Sequence, residues 1–264
     1  MDAKLFEKWI SSLTTIERVD KAKEKLDRLV DDLLNLLQIH TNNEVVTYSP
    51  KLASQIPTSR AALAFNAIQY ALHRFELIRV CAVWDSADPY KDNLATIVGL
   101  VDDPAVTKIV SDETASHWAN LEGAMFSPSD DPDLRKIAEQ ALQDHNTAFG
   151  QKMADRDKAW LTEGITEAKT VLTSDKLHST MNVRDKRLAH SLSITNREKK
   201  GPVQPMKFGY EKDLLEAAIR ITQKLYIPVT GKGFTFDDSW RIAREASGEL
   251  WDACKFDFGS ATNA

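Results

Sequence analysis

Residues 16–39 read IERVDKAKEKLDRLVDDLLNLLQI, and this stretch decides the fold class. Val19, Leu26, Leu29, Val30, Leu33, Leu36 and Leu37 recur at helical spacing, while charged side chains take the other side. The pattern predicts an amphipathic helix from Ile16 to about Ile39, ended by a loop around TNNEVVTYSP (41–50). Pro57, Thr58 and Ser59 open a second helix through RAALAFNAIQYALHRFELIRVCAVW (60–84). Its scarcity of charge predicts a place at the centre of the core.

The rest of the chain keeps the same character. DSADPYKDN (85–93) is a turn whose Asp92 or Asn93 caps a short helix, LATIVGLV (94–101). Asp103-Pro104 and Asp131-Pro132 each place a capping side chain before proline at the first helical position, and the second pair opens a long polar helix to about Leu172. Thr173, Ser174 and Asp175 break or recap it, and a further helix carries KLHSTMNVRDKRLAHSL (176–192). TNREKKGPVQPMKFG (195–209) is a loop. Leu214, Leu215, Ala218, Ile221 and Leu225 mark one helix after it, and Trp240, Ala243, Leu250, Trp251 and Cys254 mark the last.

Composition agrees with this reading. Only 10 Gly and 9 Pro punctuate 264 residues, too few for a strand-and-turn architecture; 42% hydrophobic and 28% charged residues suit a folded globular chain. No internal repeat or long linker divides it, so one all-α domain over residues 1–264 is expected. The charged N-terminus, MDAKLFEKWI, is unlike a secretory signal, and no run of about 18 apolar residues suggests a membrane span. Cys81 and Cys254 are too few for a disulfide framework, so a reducing cytoplasm is the expected compartment. A net charge of −5 argues against a chain coated with nucleic acid but allows a local basic site.

Most catalytic signatures are missing. TGKGFTF (230–236) lacks phosphate-loop spacing, His73 sits in an apolar helix, and no nucleophile elbow occurs. His40, His117, His145 and His178 have no partner at zinc-ligand spacing, so no metal or other cofactor is expected. What remains is VRDKRLAHSL (183–192). Its charges suit a solvated helix face, with Asp185 pairing a neighbouring Lys or Arg. Yet Arg184 to Lys200 holds six Lys or Arg against two acids, an excess of four on an acidic chain, and small Ala189 precedes a lone His190.

Arg184-Asp185, four further residues and His190 resemble the arginine–polar–spacer–histidine motif of the HEPN superfamily. RDKRLAHS (184–191) resembles its AbiU-type abortive-infection branch in particular, as does WDSADPYKDNLATIVGLV (84–101), a tryptophan–aspartate turn before an asparagine-led helix. The resemblance covers about residues 25–255. It implies a helical bundle of HEPN type with extra N- and C-terminal helices. It further implies a metal-independent endoribonuclease acting in phage defence or as a toxin, with RNA as substrate, a homodimer with facing motifs, and room for an antitoxin protein partner. Leu192 stands where relatives regulated by nucleotide addition carry tyrosine, which argues against that control here.

The residue types fit such chemistry. Cleavage of RNA by its 2′-hydroxyl needs a proton taken, a proton given and extra negative charge stabilised. Histidine can do the first two, and arginine offers a fork of donors matched to phosphate oxygens. Arg184 and His190 are therefore the expected catalytic pair. Six residues of continuous helix turn them roughly 120° out of register, so the helix must kink or end between them, or two chains must share the site. Arg187, three residues from His190, is the second choice for phosphate, with a helix salt bridge as the plain alternative. Asp185 can orient His190 across a dimer, orient Arg184 within the chain, or serve structure alone. Lys186, Lys199 and Lys200 are candidate RNA contacts. The alternative reading is a helical domain without catalysis that binds a protein or nucleic acid.

Overall fold

The computed structural model describes residues 3–56, 60–121 and 131–256, and among these every regular element is helical. The expected helix opening at Pro57–Ser59 lies outside them. In chain order the α-helices are α1 (Ala3–Ser11), α2 (Thr15–Tyr48), α3 (Pro50–Gln55), α4 (Arg60–Val83), α5 (Leu94–Val101), α6 (Pro104–Ala119), α7 (Pro132–Leu172), α8 (Asp175–Val183), α9 (Tyr210–Thr230) and α10 (Asp237–Ala253). No described helix is long and apolar enough to cross a membrane. Packing gathers the chain into two compact units, one of residues 1–27, 86–169 and 220–234, the other of 28–85, 170–219 and 235–264.

In the first unit the predicted caps hold. Asn93 accepts from Thr96 N at 2.9 Å and Asp103 from Ala105 N at 2.7 Å, starting α5 and α6. Arg18 closes the far end of α5, its Nε donating to Leu100 O at 2.9 Å and its Nη1 pairing with Asp103 at 2.6 Å. A cation at carbonyls left open by a helix end is favourable. Leu94, Ile97, Leu100, Leu161, Ile221 and Leu225 fill the core. Glycines let α7 come close to its neighbours: a Cβ on Gly150 would stand 2.6 Å from Ala115 O of α6, and one on Gly164 3.0 Å from Leu225 of α9.

The second unit corrects two expectations. α2 does not stop near Ile39 but runs to Tyr48, because the polar residues that read as a loop are buried with partners. Thr41 Oγ1 lies 2.9 Å from Ser247 Oγ, and Asn43 donates to Glu76, a fully buried acid that His40 Nδ1 also meets at 2.6 Å. Tertiary pairing overrides the local preference of Thr and Asn for turns. α4 is buried only near its C-terminal end, at Glu76, Leu77, Val80, Cys81 and Val83; Leu63, Ile68, Tyr70, Phe75 and Ile78 are exposed. Trp84 then anchors the end of α4, its indole N–H donating to Leu214 O at 3.1 Å.

Candidate active site around the 184–190 motif

The motif belongs to the second unit, and the helix that carries it does not continue to Leu192 as expected. Ser174 caps α8 by accepting from Leu177 N at 3.2 Å, and α8 stays regular to Val183. Residues Arg184–Leu188 then form one π turn, in which Ala189 N donates to Arg184 O, five residues back, at 2.8 Å. The helix ends there. Leu192 N turns back to Lys186 O at 3.1 Å, so His190 rides on an exposed turn rather than a helix face. The 120° offset of a continuous helix therefore does not apply to these two residues, since a π turn and the end of the helix lie between them.

Arg184 is fixed from two sides. Its Nε and Nη2 both donate to Asp185 Oδ1, at 2.9 and 2.7 Å, and its Nη1 lies 3.7 Å from Asp85 Oδ1. Burial works against the guanidinium charge, yet Asp185 and Asp85 outweigh it and the arginine pKa is raised. Asp185 also meets Arg197 Nε at 3.3 Å, so one carboxylate bridges two arginines. Within the chain, Asp185 thus holds Arg184. Behind the arginine, Cys81 of α4 is fully buried and its thiol is pushed up to about 12, chiefly by burial.

A second cluster closes the loop after the motif. Glu198 Oε1 accepts from Lys186 Nζ at 2.8 Å and Asn182 Nδ2 at 3.1 Å, while Oε2 accepts from Thr195 N at 2.9 Å. Thr195 Oγ1 accepts in return from Glu198 N at 3.1 Å, a reciprocal cap on the short 3₁₀ turn Glu198–Lys200. Lys186, first among these donors, together with the Thr195 and Asn182 groups, holds the Glu198 carboxyl down to about 2. The T-x-x-E spacing of this cap was readable in the sequence and was missed there, as were the roles of Asp85 and Arg197.

The expected site residues therefore divide. Arg184, Asp185 and Lys186 are engaged within the chain. Arg187 and His190 are exposed, and among the described residues neither side chain makes a hydrogen bond or ion pair, so the helix salt bridge that was the plain alternative for Arg187 does not form. Lys199 and Lys200 stand exposed on the 3₁₀ turn, Lys199 Nζ reaching Asn196 Oδ1 at 3.4 Å. His73 is half-buried on α4, as the plain reading of a histidine in that helix has it, and His40 is buried against Glu76. Among the described residues no group of three or more His, Cys, Asp or Glu is placed to hold a metal ion.

Compared with known proteins, the chain matches the HEPN family model described as AbiU2 over residues 23–241. No curated protein and no solved structure gives a match.

Proposed function

Because the chain belongs to the AbiU2 family of HEPN proteins, we propose that it is a metal-independent endoribonuclease of phage defence or toxin type, with Arg184 and His190 as its catalytic pair. The observation that carries this reading is the break in the motif helix. A continuous α-helix would point the two side chains apart, whereas the π turn and the bond from Leu192 back to Lys186 free His190 from the helix while Arg184 stays fixed.

In this mechanism the ribose 2′-hydroxyl attacks its own 3′-phosphate, the P–O5′ bond breaks, and a 2′,3′-cyclic phosphate remains. His190 moves a proton, from the attacking hydroxyl or to the leaving oxygen. Asp185 occupies only one N–H on Nε and one on Nη2 of Arg184, so N–H groups remain on both terminal nitrogens for phosphate oxygens. Arg187, Lys199 and Lys200 supply exposed charge for the RNA backbone, and Lys186 does so by leaving Glu198. Dependence on a 2′-hydroxyl makes RNA, not DNA, the substrate. The chain acts as a homodimer whose interface includes residues 176–193, with the two motifs in one cleft, and an antitoxin protein is the natural partner of a toxin of this kind.

The test is cleavage of single-stranded RNA in excess chelator, with His190→Ala lowering the rate on the order of 10²-fold or more. Activity that disappears in chelator and returns with magnesium refutes the mechanism. Arg184→Ala should cost more activity than Arg187→Ala. Mixing inactive Arg184→Ala and His190→Ala chains recovers part of the activity only if the pair is shared between protomers.

A second reading rests on the same geometry. Arg184 and Lys186 are each paired with acids of the chain, as they would be in a helical domain that binds a partner without catalysis. Cleavage untouched by His190→Ala and Arg184→Ala, or absent from the wild type, favours it.

A further inference from the structure

α4 carries an apolar stripe that the described residues leave open. Leu63, Ile68, Tyr70, Phe75 and Ile78 are 70%, 50%, 56%, 51% and 38% exposed. At about 100° per residue these five and the exposed alanines 64, 67, 71 and 82 fall within an arc of about 160°. Arg74 lies on this arc, but its guanidinium stacks 3.8 Å over the Tyr70 ring and donates to the Tyr70 hydroxyl, so it adds to the flat surface. Arg79 is turned away to Asp32 at 2.6 Å.

The stripe has a definite end. Cys81 stands five turns beyond Leu63 at nearly the same angle, yet it is fully buried, because there α4 packs against α8 and the π turn that bears Arg184. Anything lying along the stripe therefore comes up against the 184–190 motif.

We infer that this stripe is the contact surface for a second copy of the chain, packed two-fold so that the apolar face of one α4 covers that of the other. The five large side chains expose roughly 500 Å² between them, as much as the largest patch on an ordinary monomer and over half of the ~800 Å² each partner contributes to a stable interface. Alanines between them let two helices approach closely. Aromatic and aliphatic groups on both copies match themselves without needing opposite charges, as an isologous contact requires. RNA is the poorer occupant: its phosphates call for several exposed cations along the arc, which offers one exposed arginine, Arg60 at its N-terminal end, while Arg74 is already turned onto Tyr70. The inference deepens the proposed homodimer by naming its surface, and it extends the interface from residues 176–193 onto α4.

Light scattering at about 10 μM, without RNA, tests it separately from any cleavage. Wild type and an Ile137→Glu control, which charges an equally exposed residue of α7, should both be dimers. Phe75→Glu and Ala71→Arg should be monomers that keep the wild-type helical signal and melt lower only by the lost dimer contact, Ala71 being exposed and Phe75 half-exposed in the protomer. Ala71→Arg disturbs no packed side chain, so it decides the matter should Phe75→Glu fail to fold. A monomeric wild type overturns the inference, as does a dimer that survives Ala71→Arg. So does a monomer that binds an oligoribonucleotide and loses it on Phe75→Glu, which would give the stripe to RNA.

Discussion

Replacing Arg184 with alanine should cost stability as well as any activity, and the structure sets the amount. A solvated helix arginine, as the sequence suggests here, is worth less than about 0.5 kcal/mol. The observed side chain is only 18% exposed and makes two hydrogen bonds to Asp185, with Asp85 on its other side. Removing it leaves Asp85 without its arginine and Asp185 with Arg197 alone. Taking a charged partner from a hydrogen-bonded group costs about 1–3 kcal/mol, and since both acids keep other partners and are about a quarter exposed, the lower part of that range, about 1–2 kcal/mol, applies. At about 2–4 °C per kcal/mol for a chain of this size, the melting temperature should fall by roughly 2–8 °C. Scanning calorimetry on Arg184→Ala, Asp85→Asn and the double variant measures this, and the double variant should lose less than the sum of the singles. A melting temperature within about 1 °C of wild type would show that the arginine is not held as described. Cleavage assays on these variants belong well below both transitions, so that lost turnover is not mistaken for lost fold.

Gly150→Ala should destabilise by about 1–3 kcal/mol, because the new Cβ meets the backbone oxygen of Ala115, which cannot turn aside as a side chain would; chemical denaturation reads it directly. The Glu198 latch should persist in acid. Its carboxyl is held down to about 2, so its contribution is complete above the ordinary carboxylate range and is lost only as pH falls through about 2. The Thr195 amide should therefore stay protected from hydrogen exchange at pH 4 and lose that protection in Glu198→Ala, and loss at pH 4 in the wild type contradicts the assignment. Thiol titration of the native protein at pH 8 should modify Cys254 and spare Cys81, whose thiol is buried and pushed up to about 12; labelling of both at equal rates refutes this.

The sequence announced what local chemistry fixes. Asn93, Asp103 and Ser174 cap helices because each side chain reaches an amide two or three residues on, and such pairs are visible in a string of letters. The length of α2 was not legible, since Thr41 and Asn43 find Ser247 and Glu76 far along the chain. Nor was the exposure of α4: an apolar pattern tells which residues seek cover, not whether the same chain supplies it. The motif itself was found by its letters, but its helix ends without glycine or proline, and the stop depends on Asn182, Thr195 and Glu198 closing a loop over 16 residues.

The π turn also makes the motif sensitive to counting. Such a turn is an α-helix with one residue too many, tolerated because the surplus is squeezed into a wider ring. Deleting a single residue among 185–188 would let the ladder from α8 run on as ordinary helix. The histidine would then be wound in on the rod instead of hanging from its tip. Insertions and deletions of one residue, which a surface loop absorbs without notice, would here act as a switch between two placements of the same side chain, so the spacing from arginine to histidine carries as much information as the two residues themselves.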